Sequence, residues 1–158
     1  MSDCMQEVKI LNAIPPGVKK DNAAFVANAI DTKDWERATF IFTLGDSDIA
    51  MAALKVQEAD AIDDATTLTS GADVTGAIFG TSANTTGSTS SLPSATDDNK
   101  VYTVEMDLRG SRKRYLQLQA TAGDGSTGTY GSAICILSRG KIISATVTDR
   151  GIAQTLRL

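Results

Sequence analysis

A chain of 158 residues, 42% of them hydrophobic, is the size of one domain with a core of its own. Its net charge of −4 argues against a nucleic-acid partner, and its lack of histidine removes Ser-His and Cys-His nucleophile activation and every His-bearing zinc site. There is no apolar run of about 18 residues and no apolar stretch in MSDCMQEVK, so the sequence predicts no membrane partner and no signal peptide, with Cys4 and Cys135 as reduced thiols of a cytosolically made protein.

Glu7 to Ile14 alternates well enough for a first strand, with Val8, Ile10 and Ile14 on one face, and Pro15-Pro16-Gly17 ends it because proline cannot donate to a ladder. Ala24 to Ile30 is short and apolar and reads as a second strand. Trp35 to Leu44 is a clear third, with Ala38, Phe40, Phe42 and Leu44 on the core face. Met51 to Glu58 follows a Gly-Asp-Ser-Asp turn, with Ala52, Leu54 and Val56 inward. Its alanines also permit a helix, but eight residues between turns are too few to favour one.

From Ala59 to Gly80 the pattern loosens into loop with one or two short strands, the best being Ala77 to Phe79. Residues 81–99 are polar and rich in Ser and Thr, which predicts a flexible insertion with little to bury. Val101 to Leu108 resumes clean alternation.

Arg109 to Leu137 reads as the central hairpin. Leu116, Leu118 and Ala120 face the core and Tyr115, Gln117 and Gln119 the wetter side. GDGSTG turns the chain, with Gly123 and Gly125 expected at positive φ, and Ala133 to Leu137 forms a central strand covered on both faces. Lys141 to Val147 can add a strand, and residues 138–158 are expected to form a C-terminal arm with a basic bias. About seven to nine short antiparallel strands without an amphipathic helix predict an all-β, single-domain β-sandwich or jelly-roll-like barrel.

Little in the sequence carries chemistry. Asp46 with Asp48, Asp60 with Asp63 and Asp64, and Asp97 with Asp98 are the only acidic pairs that could hold a hard cation, and none has the spaced loop of a specific site. Glu58 and Glu105 are the two strand acids a glycosidase would need, and both are more simply surface groups. Asn84-Thr85-Thr86 matches a glycosylation acceptor by chance. Arg112-Lys113-Arg114-Tyr115 could stack on a sugar or base, or simply lie along a sheet face. The sequence therefore predicts a protein that is no enzyme and has no cofactor and no metal.

The segments AIPPGV, AIDTKDWERATFIFTLG, ALKVQEADA, RKRYLQLQAT and GTYGSAICIL, in this order, resemble a family of small virion proteins of tailed bacteriophages and prophages. The resemblance implies a head decoration (cement) protein on the capsid surface that contacts the major capsid protein and itself, as a homotrimer. On that reading Arg139, Lys141, Arg150 and Arg157 are the capsid-contact candidates. The competing class is a carbohydrate-binding module, since RYLQLQAT also looks like the penultimate strand of jelly-roll sugar-binding domains, with Trp35 and Tyr115 as an aromatic platform.

Overall fold

The computed structural model describes residues 7–141 and 151–154. Among these residues the strands are β1 (Val8–Ile14), β2 (Ile30–Asp31), β3 (Trp35–Leu44), β4 (Ala53–Ala59), β5 (Ala61–Asp64), β6 (Thr67–Thr69), β7 (Ala72–Ile78), β8 (Val101–Asp107), β9 (Tyr115–Thr121) and β10 (Gly131–Gly140). Two four-stranded sheets, ordered β1-β10-β3-β8 and β2-β9-β4-β7, form an all-β sandwich, and β5 and β6 make a separate hairpin.

The pairings explain the architecture. β4 pairs with β7, β3 with β8, β2 with β9 and β1 with β10, all antiparallel. The chain is thus one long ribbon folded back on itself, with the β5–β6 hairpin at its tip. Rolling the ribbon sets β10 against β3 and β4 against β9, which completes each sheet. This is the jelly-roll form of the sandwich, and it leaves few strand edges unpaired.

The core sits between the sheets. Ala38, Phe40, Phe42 and Leu44 of β3 face Leu116, Leu118 and Ala120 of β9 and Leu54 and Val56 of β4, all at most 1% exposed. Phe25 meets Phe42 edge to face at 6.4 Å between ring centroids, and Phe79 meets Tyr102 the same way at 5.7 Å. Cys135 lies fully inside, where burial pushes its thiol up to about 12, so it behaves as a small apolar residue. Cys4 falls outside the described residues.

β3 spans the residues its alternation predicts, the strand expected over Lys141 to Val147 lies outside the described residues beyond Lys141, and several other expectations need correction. β9 and β10 are not a hairpin: they lie in opposite sheets, and the loop between them crosses the sandwich. β10 is central in its sheet, but its outer face is not covered, since Ile134 remains 36% exposed. The segment from Ala24 to Ala29 forms no strand. It crosses between sheets on single bonds, from Phe25 N–H to the Ala120 carbonyl and from Asn28 N–H to the Ala13 carbonyl.

Residues 59–80 hold three strands where one or two were expected, because Asp64 caps the β5–β6 turn by accepting from the Thr66 N–H and hydroxyl. In β1 a bulge between Asn12 and Ile14 turns Ile14 inward, beside Ala13 and away from the face of Val8 and Ile10. Met51 is buried in place of Ala52. Gln117 is 2% exposed on a face expected to be wet, its amide donating to the carbonyls of Ala27 at 2.8 Å and Thr66 at 2.7 Å.

In residues 81–99, Pro93 is fully buried and its carbonyl accepts the Met51 N–H at 2.9 Å. Of the arm expected over 138–158, residues 138–140 belong instead to β10, and 142–150 and 155–158 lie outside the described residues.

Candidate interaction surface

The register of the first sheet decides what its outer face carries. Ile10 of β1 pairs with Ile136 of β10, and Ile134 of β10 pairs with Ile41 of β3. All four belong to the parity that faces away from the core. They make an apolar stripe across the three strands, with Val101 of β8, 57% exposed, at its margin. Beside it Asn12, Ile14, Pro16, Ile41, Thr43 and Ile134 line a depression of about 290 Å³. An antiparallel sheet with one solvated face ordinarily carries polar residues there, so this face departs from the default.

The residues singled out from sequence are placed as follows. Arg139 is exposed at the end of β10 with a left-handed φ of 55°, in a small hollow with Glu36, Arg37, Asp107 and Arg109. It therefore stands in a mixed-charge cluster, where Arg37 pairs with Glu105 at 3.1 Å and Arg109 pairs with Asp107 at 2.5 Å. Lys141 is exposed, and its backbone N–H donates to the Asp34 carbonyl. Arg150 and Arg157 lie outside the described residues.

Arg112, Lys113 and Arg114 pair with Glu58, Asp60 and Asp31, so the basic cluster is locally neutralised. Arg114 also lies over the Tyr115 ring, 5.0 Å from its centroid. Trp35 packs half-buried against the core, and no ring contact joins it to Tyr115 among the described residues. Glu58 and Glu105 belong to different sheets, each beside an arginine. Asn84 folds its side chain onto the Thr86 and Ser88 N–H groups as a turn cap.

The acidic pairs serve loops. Asp98 accepts the Ser47 N–H, Asp63 the Thr69 hydroxyl, and Asp97 the Ser94 N–H and hydroxyl. No group of three or more candidate metal ligands occurs among the described residues. Sequence reasoning missed what Asp48 does. Its Oδ2 accepts the N–H groups of Ser126 and Thr127 and the Ser126 hydroxyl, which staples the β9–β10 loop to the β3–β4 loop. Below it the Ser47 hydroxyl donates to the Ile49 carbonyl and meets the buried Thr129 hydroxyl at 2.9 Å.

Those N–H donors, Thr127 first, hold the Asp48 carboxyl down to about 2 from the usual 3.8. Because the folded value lies below the unfolded one, the staple contributes its full stability above pH ~4 and loses it as pH falls toward 2. Asp48→Asn is expected to be less stable than the parent at pH 7, with the difference shrinking as urea melts are repeated down to pH 2. A constant difference across that window would show that the carboxylate charge is not what holds the loop.

The fold and this surface define a β-sandwich of jelly-roll topology with an apolar outer face. No family model, no curated protein and no solved structure matches the chain.

Proposed function

We propose that the protein is a bacteriophage virion structural protein, a capsid decoration (cement) protein that binds the assembled head and stabilises it through protein–protein contacts. Its partners on this reading are the major capsid protein and further copies of itself, grouped as a trimer at a local symmetry axis, and its place is the capsid surface. It acts by contact, with no reaction and no cofactor. The observation that carries the reading is the outer stripe of Ile10, Ile41, Ile134 and Ile136, since the fully buried centre of a protein interface is more apolar than the surface around it. Arg139 and Lys141 lie at one end of the same sheet, with Arg150 and Arg157 further along the chain. Rim charges of this kind steer encounter with an acidic surface more than they set affinity.

The jelly roll itself is shared by capsid and lectin domains, so topology favours neither the cement nor the sugar-binding reading. The test is co-sedimentation of the purified chain with expanded capsids. Binding is expected, weakened at least about tenfold by Ile134→Glu, which sets a charge into the centre of the contact. A chain that stays in the supernatant but binds a glycan array, and loses that binding in Tyr115→Ala, overturns the proposal in favour of a carbohydrate-binding module.

A further inference from the structure

The two flanks of the sandwich are finished differently. On the β1 side the chain covers its own edge. The Asn28 backbone N–H donates to the Ala13 carbonyl at 2.7 Å and its side-chain amide to the Asn12 carbonyl at 2.9 Å. Gly151 lies against the Ile10 carbonyl so closely that a Cβ there would overlap it. On the other side β7 is bent by a bulge in its pairing with β4 and by Gly76 at φ 88°, and bulged edges resist further pairing.

β8 has no such protection. Leu44 N–H donates to the Lys100 carbonyl and Leu108 N–H to the Glu36 carbonyl, which sets the alternation of the β3–β8 ladder. Tyr102, Val104 and Met106 therefore bond to β3. Val101, Thr103 and Glu105 aim their backbone N–H and C=O groups away from it, with no partner among the described residues.

Those three residues form one wall of a groove of about 440 Å³. Gly76 to Phe79 at the end of β7 form the other wall, and Ser82, Asn84, Thr85 and Ser90 the rim. The edge-to-face pair of Phe79 and Tyr102 supplies an apolar floor. Glu105 is the one carboxylate in the lining, and Arg37 already pairs with it. The rim is ordered by its own bonds, with Ser90 N–H and hydroxyl both donating to the Ser82 carbonyl and the Asn84 carboxamide capping its turn.

We propose that this groove takes an extended peptide segment from another protein, which adds to β8 as a fifth strand of the first sheet. Alternating unpaired N–H and C=O groups are the complement of a polypeptide backbone, and strand addition to a free edge is a general mode of peptide recognition. The volume holds a short single strand, and the loop at residues 82–90 stands beside the β8 edge as the groove's rim. The lining selects the chemistry: an uncharged segment of small, hydroxyl-bearing or β-branched residues, alternate side chains resting on Phe79 and Tyr102. This inference rests on the flank and not on the outer stripe that carries the capsid proposal, so either can fail alone.

The test uses the full chain and a randomised library of twelve-residue peptides. Enriched peptides are expected to alternate Thr, Ser, Val and Ala. Thr103→Pro removes one outward N–H that the β3 ladder does not use, so the sheet is retained while peptide affinity falls about tenfold, the scale of one lost hydrogen bond. Thr103→Val keeps that N–H and keeps the affinity. Ala83→Trp, on the exposed rim, fills the groove without touching β8 and abolishes binding. The proposal is overturned by a library with no enrichment, by equal affinity of the Thr103→Pro and Thr103→Val chains, or by peptide binding that survives Ala83→Trp.

Discussion

Phe42→Ala is expected to lower stability by about 3–5 kcal/mol, the range for deleting a buried aromatic ring, and the melting midpoint by roughly 6–20 °C for a chain of this size. Phe42 is 1% exposed on β3, flanked in its sheet by Ala133 and Tyr102. The backbone of the adjacent strand is shaped to the ring: a Cβ on Gly131 of β10 would stand 2.7 Å from its Cζ. Two of the neighbours bordering the hole are a glycine without a side chain and the edge of Phe25, which limits how far the site can collapse. Urea melts at neutral pH measure the loss. A change below about 1 kcal/mol would mean that the ring does not fill the centre of the sandwich.

The second large effect is expected at Gly123, where valine should cost about 3 kcal/mol or more, the upper range for overpacking. A Cβ at Gly123 would overlap the Ala50 carbonyl and stand 2.8 Å from the Ile49 Cγ2. Neither backbone can yield easily, since Gly123 accepts the Asn22 N–H at 2.9 Å and Ala52 N–H donates to Thr121 at 2.9 Å. Because the first side-chain carbon already collides, Gly123→Ala is expected to cost most of what valine costs. Gly125→Val pushes on the Asp48 carboxylate and should cost less. A neutral Gly123→Ala would refute the steric account. The positive φ expected here belongs instead to Gly128, at 77°, so backbone conformation is not the constraint at Gly123 or Gly125.

These two sites also show what the sequence made legible. Strands with a single buried face announce themselves, and β3 and β8 lie where Ala38, Phe40, Phe42 and Leu44, and Tyr102, Val104 and Met106, recur at every second position. Strand existence does not reveal strand partners. β9 and β10 are adjacent in sequence with a turn between them, yet a roll sends them to opposite sheets, and no local periodicity distinguishes that from a hairpin. β5 and β6 escaped notice because AIDD and TLT carry almost no apolar signal, and their pairing depends on the Asp64 cap.

The candidate surface was half legible. An apolar run at Ile134 and Ile136 is visible in the sequence and reads as a strand buried on both faces. Only the register, which puts Ile10 and Ile41 beside them on the outer side, turns it into a half-exposed stripe. The edge of β8 had no signature at all, since unpaired backbone groups are a property of neighbours and not of residues. Trp35 and Tyr115 are legible in the sequence as aromatics, while the packing of Trp35 against the core and the Arg114 guanidinium over the Tyr115 ring are not.

The position of β10 between β1 and β3 has a consequence for biosynthesis. A strand that comes late in the chain sits in the middle of the first sheet, so a growing polypeptide can pair β3 with β8 but must leave β1 waiting. Until Gly131 to Gly140 has left the ribosome, the Phe40 and Phe42 strand has one bare side and an unfinished neighbour. The roll closes only after β10 has been made, and the interval before that is when chaperones would be needed most.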